Sequence, residues 1–284
     1  MGFVQSIVHG DRVRGNSQHV LSENLMSDGQ EAAEVQSNQK VGAMTDVGMQ
    51  RELNEDNLRW AQLSDDLALY AVADGMGGHE SGEVASQLAI QNLFRTAQRL
   101  VEQSGDGDWS HEELDSLLRS SFRDANNGVV DMARSRESNM GTTLVTGLVY
   151  KNAHLYVANV GDSRCYILRD GRMTQVSQDH SLVAYLVQMG EITSEQARVH
   201  PSGNILVRSV GSVPDVEVDV FHLEVFEKDR LLLCSDGLWG EVPDEQLRET
   251  LNRVEEPEET CRELIRQGNE AGGKDNITCI VVDI

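Results

Sequence analysis

The chain has 284 residues, of which 39% are hydrophobic and 25% are charged, and its formal net charge is −23. A chain of this size folds as one large domain or two small ones. The acidic balance disfavours nucleic-acid binding, because no basic stripe is present to neutralise phosphates. No apolar run reaches about 18 residues, which argues against a membrane-spanning helix. The four cysteines lie far apart without a C-x-x-C pair, so we expect reduced thiols and a cytoplasmic location.

Residues 1–40 are polar and rich in Ser, Asn, Gln and Gly. This composition predicts a flexible extension ahead of a domain that spans residues 41–284. The segment from Met1 to Ser6 fits the M-G-x-x-x-S acylation motif. A single acyl chain needs a second anchor, however, and no polybasic patch follows. We therefore do not expect acylation to anchor the chain.

Within the domain, the spacing of apolar residues predicts strands and helices in alternating blocks. The predicted elements are a strand at residues 67–73, helices at 81–103 and 110–135, strands at 142–150, 154–160, 164–169 and 173–176, short helices at 182–189 and 194–199, a strand at 231–234, helices at 244–254 and 258–269, and a strand at 277–283. Ser110 and Glu113 predict a capping box at the start of the second helix. Two long helices early and two late predict a layered arrangement, with helices covering both faces of packed, antiparallel sheets.

The stretch from residue 177 to residue 217 is long and irregular, and only its two short helices are regular. Insertions of this kind between strands often form flaps beside a functional site. We expect this stretch to be mobile and to influence the choice of substrate.

Acidic residues stand where the predicted strands begin or end. They are Asp74 before Gly75, Asp162, Asp236 before Gly237, Asp275 before Asn276, and the pair Glu55 and Asp56 in a short segment of their own. Strands side by side end along a common edge of a sheet, so these carboxylates can converge, and buried charges are costly without compensation. Oxygen ligands alone favour a hard divalent cation such as Mg²⁺ or Mn²⁺. The pattern therefore predicts a metal-dependent hydrolytic site.

One further Asp-Gly pair serves as an internal comparison. Asp170 and Gly171 lie between two alternating strands, where Asp-Gly is the usual signal of a hairpin turn. We exclude this pair from the site.

Other residues offer chemistry but also have an ordinary structural explanation. Arg51 presents a planar fork that suits a phosphate, and it could equally form a surface salt bridge with a nearby glutamate. His79 and His180 are candidate proton carriers, or histidines with only a structural role. Cys234 and Ser235 lack a partner base and a G-x-S-x-G elbow, which argues against a nucleophile.

Taken in order, six short motifs resemble those of one enzyme family. They are Arg51-x-x-x-Glu55-Asp56, Asp74-Gly75-Met76-Gly77-Gly78, Met140-Gly141-Thr142-Thr143, Gly161-Asp162-Ser163-Arg164, Ser235-Asp236-Gly237 and Asp275-Asn276. This ordered set, which spans about residues 41–284, is similar to that of the metal-dependent protein serine/threonine phosphatases of type 2C, the PPM family. The methionine in the second motif and the short loops resemble the bacterial branch.

The resemblance implies an α+β fold, an αββα sandwich of two mainly antiparallel sheets flanked by helix pairs, with two Mn²⁺ or Mg²⁺ ions in a cleft at one edge. It also implies the ligands: Asp74 would bridge the ions, Asp236 and Asp275 would hold the first, and Glu55 and the Gly75 carbonyl would hold the second.

Three further roles follow from the same resemblance. Asp162 would hold a third, weaker ion together with Asp236. Asp56 would orient water at the ions, and Arg51 would bind the phosphate of the substrate.

The implied reaction is hydrolysis of phosphoserine and phosphothreonine in proteins by a water that bridges the ions. Uncatalysed phosphate monoesters hydrolyse so slowly that accelerations up to about 10²¹-fold are known. Two cations about 3.5–4 Å apart generate hydroxide at neutral pH and align an in-line attack, without a covalent intermediate. We expect the partners to be phosphorylated proteins, substrates of a serine/threonine kinase, and we expect a monomer.

One departure leaves the proton donor open. Animal members of the family carry a histidine where this chain has Met76, and methionine cannot protonate a leaving oxygen. Two alternatives remain: a regulatory phosphatase that acts on an anti-sigma-factor antagonist, and a catalytically silent scaffold that binds phosphoproteins.

Overall fold

The computed structural model describes residues 39–77, 81–105 and 107–284. The polar extension expected over residues 1–40 lies almost wholly outside these ranges, as do the acylation motif from Met1 to Ser6 and the candidate proton carrier His79.

In chain order the described residues form eleven strands and seven helices. The strands are β1 (Lys40–Asp46), β2 (Asp56–Ser64), β3 (Leu67–Met76), β4 (Gly141–Thr142), β5 (Leu144–Tyr150), β6 (His154–Val160), β7 (Arg164–Arg169), β8 (Arg172–Gln175), β9 (Asp219–Glu224), β10 (Arg230–Cys234) and β11 (Ile277–Asp283). The helices are α1 (Ser81–Ser104), α2 (His111–Ser135), α3 (Leu182–Gln188), α4 (Ser194–Arg198), α5 (Asp236–Trp239), α6 (Asp244–Arg253) and α7 (Pro257–Ala271).

The strands form two antiparallel sheets. One has the order β1-β11-β10-β7-β8, and the other has the order β2-β3-β5-β6-β9, with β4 paired to β3. Every strand pair in both sheets is antiparallel. The predicted α+β class with two antiparallel sheets is confirmed.

Alternation along the strands divides the core into three layers. In β3, Tyr70 and Val72 point between the sheets, where they join Leu233 of β10. Their neighbours Leu69 and Ala71 point to the opposite face and pack with α1 and α2. In the other sheet, residues such as Leu232 pack with α6 and α7. Each sheet therefore buries both faces, and the order of layers is helices, sheet, sheet, helices, as predicted.

Each strand and helix predicted from the sequence has a counterpart in the structure, including the capping box of Ser110 and Glu113. Three strands, β1, β2 and β9, were not predicted. All three lie at sheet edges, where one side lacks a neighbouring strand and polar residues are tolerated. Their mixed burial weakens the apolar signal on which the prediction depends.

The structure also bears on what composition predicted for the cysteines and for membrane-spanning helices. All four cysteines are buried and free, as expected for reduced thiols that pack as small apolar side chains. Among the described helices, none has both the length and the apolar character needed to cross a membrane.

A buried arginine ties the helix pair α6 and α7 to the sheet beneath it. Arg230, which is 8% exposed, donates to both carboxylate oxygens of Asp283 at 2.5 and 3.0 Å. It also donates to the main-chain carbonyls of Leu251 at 2.8 Å, of Val254 and of Glu255. The guanidinium thus satisfies carbonyls at the end of α6 that have no partner within the helix.

We expect Arg230→Met to lower the free energy of unfolding by about 3–5 kcal/mol, because it leaves a half-buried carboxylate and several carbonyls unpaired. Urea unfolding followed by circular dichroism measures the change. Arg172→Met, at an exposed position of β8, is the matched control and should change stability by at most about 0.5 kcal/mol. Equal effects of the two substitutions would contradict this account.

Candidate metal centre

The predicted acidic residues meet at one edge of the two sheets. Asp56 at the start of β2 lies directly opposite Asp74 near the end of β3. The charge of Asp74 interacts with those of Asp56, Asp162 and Asp236, and Asp236 interacts in turn with Asp275. Antiparallel pairing explains the convergence, because it brings the beginning of one strand beside the end of the next.

Burial makes this group of carboxylates difficult to ionise. Asp56 and Asp162 are only 5% and 4% exposed. Burial, reinforced by the neighbouring negative charges, raises the pKa of Asp74, Asp162 and Asp236, and it raises the pKa of Asp56 to about 8. Burial also raises the pKa of Glu55, against the opposing effect of Arg51. A cation among these groups would offset both the cost of burying the charges and the repulsion between them.

Three buried carboxylate oxygens in this group have no hydrogen-bond partner: Oε1 of Glu55, Oδ1 of Asp56 and Oδ1 of Asp236. Buried polar atoms in folded proteins are almost always satisfied, so orphaned oxygens that converge from different elements point to a missing positive partner. The donors are all oxygens, which suits Mg²⁺ and Mn²⁺. The residues present therefore fit the ions that the sequence predicts.

Arg51 forms the salt bridge that was one of its two interpretations, but its closest partner is an aspartate. Its Nη2 donates to Oδ2 of Asp275 at 2.7 Å, whereas its Nη1 lies 3.9 Å from Oε2 of Glu55. Within the described residues, no three acidic side chains bring one carboxylate oxygen each within 4.8 Å of one another. The acidic set is thus wider than a cage around one ion, and Arg51 compensates the charge of Asp275.

The glycine after Asp74 is required by close packing. A Cβ at Gly75 would lie 2.1 Å from the carbonyl oxygen of Gly82 and 2.6 Å from that of Glu55. The amide of Gly75 donates to the Glu55 carbonyl at 3.2 Å. Only glycine allows α1 to begin this close to the end of β3.

Asn276 fixes the loop that carries Glu55, a role that sequence reasoning did not assign. Its side-chain oxygen accepts the amide of Glu55 at 2.8 Å, and its nitrogen donates to the carbonyls of Val47 and Leu53 at 2.9 Å each. It is 3% exposed. The signal in the sequence was an amide placed immediately before an apolar strand.

Hydroxyl groups hold the neighbouring aspartates. Oγ1 of Thr143 accepts the amide of Asp74 at 2.9 Å and contacts Oγ of Ser163 at 2.7 Å. Ser235 Oγ donates to Oδ2 of Asp56 at 2.7 Å. The Ser235 hydroxyl is therefore committed to positioning an aspartate, in agreement with the argument against a nucleophile.

His180 supports the turn that precedes Asp162. Its Nδ1 accepts the amide of Gly161 at 3.1 Å, and its Nε2 lies 3.0 Å from Oδ2 of Asp219. Burial lowers the pKa of His180, although Asp219 opposes this effect. Both ring nitrogens are occupied, which favours the structural interpretation over a proton carrier. Gly161 itself has a φ of 110°, and a Cβ there would lie 2.6 Å from Cβ of Thr143.

Comparison with known proteins agrees with this geometry. The family model described as protein phosphatase 2C matches residues 48–279. The chain belongs to the protein phosphatase 2C family.

Relatives in this family cover most of the chain. The serine/threonine phosphatase stp of Listeria monocytogenes serovar 1/2a is 39% identical over 244 residues, which are 84% of this chain and 93% of that protein. The structure of Stp1 from Staphylococcus aureus matches with a TM-score of 0.78 at 31% identity, covering 90% of this chain and 99% of that one. The catalytic domain of a serine/threonine protein phosphatase PstP, solved in complex with 2 manganese ions, matches with a TM-score of 0.73 at 35% identity, covering 86% and 97%.

This member of the protein phosphatase 2C family is a bacterial, metal-dependent serine/threonine protein phosphatase, a phosphoric monoester hydrolase. The activity expected from the six motifs is therefore confirmed.

We expect Asn276→Ala to weaken Mn²⁺ binding by about 10–100-fold, the usual effect of removing a group that orients metal ligands. Loss of three hydrogen bonds should also destabilise the fold by roughly 1–3 kcal/mol. Calorimetric titration with Mn²⁺ measures the affinity. Asn252→Ala, at an exposed position of α6, is the control. Unchanged Mn²⁺ affinity in the Asn276 variant would refute the positioning role.

The raised pKa values predict how metal and pH together set stability. In EDTA, the folded chain holds protons on Asp56, Asp74 and Asp236 that the unfolded chain loses near pH 4. The stability that these protonated carboxyl groups contribute is therefore fully present below about pH 4 and is lost as pH rises toward about 8, where they ionise in the folded chain. Mn²⁺ takes the place of these protons, so its stabilising effect should grow over the same window.

The difference in melting temperature between Mn²⁺ and EDTA samples should therefore be larger near pH 8 than near pH 5.5. Scanning calorimetry at matched ionic strength measures both values. A difference that shrinks as pH rises would contradict the prediction.

Proposed function

We propose that this phosphatase holds two Mn²⁺ or Mg²⁺ ions within its acidic cluster. Asp74 would serve both ions, Asp236 and Asp275 would hold the first, and Glu55 and the Gly75 carbonyl would hold the second. The observation that carries the proposal is the set of buried, unpartnered oxygens on Glu55, Asp56 and Asp236. The two manganese ions in the PstP relative support it.

Divalent ions at such a site lower the pKa of bound water and neutralise the charge of a phosphate. The protein supplies orientation. Oδ2 of Asp56 accepts from Ser235, which leaves its unpartnered Oδ1 to accept a hydrogen bond from the attacking water. Asp56 thereby aligns the water with the phosphorus, an effect that depends on fixed geometry.

Arg51 binds the phosphate of the substrate in this proposal. Its side chain is 47% exposed, so part of the guanidinium is open to a ligand. Arg51 forms an ion pair with Asp275, so it competes with a metal ion for the same carboxylate. Metal binding at Asp275 would therefore free Arg51 to bind the phosphate.

A third, weaker ion is proposed at Asp162, shared with Asp236. Asp162 is buried and interacts with the charge of Asp236, while its main-chain carbonyl accepts from Nε1 of Trp239 at 3.0 Å. We expect Asp162→Asn to lower the Mn²⁺ stoichiometry by one and to leave the tighter pair bound, as measured by calorimetric titration. Retention of the wild-type stoichiometry would refute a third site.

The proposed substrates are bacterial proteins phosphorylated on serine or threonine by a protein kinase, in the cytoplasm and by a monomeric enzyme. The stretch over residues 177–217 exposes Tyr185, Met189 and Val207, apolar side chains that a protein substrate could contact. The net charge of −23 favours basic segments around the phosphorylated residue. No feature of the described residues favours an anti-sigma-factor antagonist as the substrate.

The organisation of the chain is proposed as a catalytic domain over residues 41–284 with a polar extension over residues 1–40. The proton donor to the leaving group stays unassigned. Met76 lies in β3, paired with Gly141, and cannot donate a proton.

The test is phosphate release from a phosphothreonine peptide in Mn²⁺. We expect Asp236→Asn to lower kcat by roughly 10³-fold or more, which corresponds to about 4 kcal/mol of lost transition-state stabilisation. Asp170→Asn is the matched control, since it changes a strand-end Asp-Gly pair outside the site and asparagine tolerates its φ of 50°. Near-normal turnover of the Asp236 variant at saturating Mn²⁺, with its fold intact by circular dichroism, would overturn the assignment.

A further inference from the structure

Three histidines form a second cluster far from the acidic centre. His111 is the first residue of α2, His154 is the first residue of β6, and His222 lies in β9. Because β6 ends at Val160, just before Asp162, the cluster and the acidic centre lie at opposite ends of that strand, roughly 20 Å apart. Neither the six motifs nor the phosphatase reaction involves these histidines.

The register of the edge strand explains why they meet. In the β6–β9 pair, His222 lies directly opposite Tyr156, and His154 precedes Tyr156 by two residues. His154 and His222 are therefore diagonal neighbours on one face of the sheet. Tyr156 packs in the core beneath α1 and α2, so this is the face that the start of α2 covers, where it adds His111.

The ligand atoms are close enough to share one ion. One ring nitrogen from each histidine lies within 4.8 Å of a ring nitrogen of the other two. Within the described ranges, no other group of three His, Cys, Asp or Glu side chains brings its ligand atoms this close together. Nε2 of His222 lies 3.3 Å from Nδ1 of His154. Two nitrogens on a tetrahedral Zn²⁺ ion, each bonded at about 2.0 Å, are separated by about 3.3 Å.

The surroundings suit a metal site with an open position. A cavity of about 330 Å³ is bordered by His111, Glu112, Asp115, Tyr156, Val220 and His222. The Tyr156 hydroxyl contacts Nδ1 of His111, which fixes that ring and leaves its Nε2 for a ligand. Asp115 also borders the cavity, but both of its carboxylate oxygens accept from Arg119, at 2.8 and 3.2 Å, so it is not counted among the ligands.

We propose that His111, His154 and His222 form a binding site for a transition-metal cation, with Zn²⁺ as the preferred ion and a fourth coordination position open to water. Neutral imidazoles are preferred ligands of Zn²⁺, whereas the all-oxygen acidic centre prefers Mg²⁺ or Mn²⁺. The bound ion would tie the start of α2 to the edge strand β9.

The experiment uses the untagged full-length chain, because a polyhistidine tag would bind zinc itself. Saturating Mg²⁺ fills the acidic centre, and equilibrium dialysis against Zn²⁺ is followed by metal analysis. The wild-type chain should bind one Zn²⁺ more than His222→Gln and one more than His111→Gln. Zinc bound elsewhere is common to these chains and cancels in the difference. His200→Gln, which changes a histidine of the 177–217 stretch, should bind as much zinc as wild type.

A second measurement protects the test from a misfolded variant. In wild-type protein labelled with ¹⁵N in its histidine rings, Zn²⁺ should abolish the pH titration of three rings and shift the signals of their coordinating nitrogens. Circular dichroism and Mg²⁺-dependent phosphatase activity should be unchanged in the variants. Equal zinc content in wild type and His222→Gln, or three rings that still titrate in the presence of Zn²⁺, would overturn the proposal and leave the histidines as hydrogen-bonded neighbours only.

Discussion

Repulsion among buried carboxylates is the constraint on which the rest of this structure depends. Five strand ends and one loop direct acidic side chains to a single edge, where burial and neighbouring charges raise the pKa of Asp56, Asp74, Asp162 and Asp236. Such an arrangement opposes folding unless other interactions exceed it. The three apolar layers supply that excess, because both faces of both sheets are covered.

The polar groups around the carboxylates serve a second purpose, which is to prevent relaxation. A group of like charges on mobile loops would move apart. Here Asn276 ties the Glu55 loop to the start of β11, Thr143 fixes the main chain of Asp74, and Ser235 fixes Asp56. Two of these hydrogen bonds join main chain to side chain, and the bond between Ser235 and Asp56 joins two side chains. Together they keep the acidic groups closer than charge repulsion alone would allow.

The sequence predicts the layers and the acidic set well, because both depend on local patterns. Strands that are buried on both faces, such as β3 and β10, stand out in the sequence as continuous apolar runs. The aspartate at the C-terminal end of each run, Asp74 or Asp236, can be read directly from the sequence. The edge strands β1, β2 and β9 do not stand out, since most of their residues are only partly buried. Contacts between distant residues are equally hidden: nothing local indicates that Arg51 pairs with Asp275, or that three histidines from α2, β6 and β9 meet. These depend on register, which no single segment encodes.

The position of β11 has a consequence for the order in which the protein becomes active during synthesis. This strand lies between β1 and β10 in its sheet, and Asp275 and Asn276 immediately precede it. The strands formed from earlier parts of the chain can begin to collapse on the ribosome, but β1 has no partner strand and the Glu55 loop lacks its hydrogen bonds with Asn276 until β11 emerges. The acidic centre is therefore complete only once residues 275–283 have been translated and have joined the sheet.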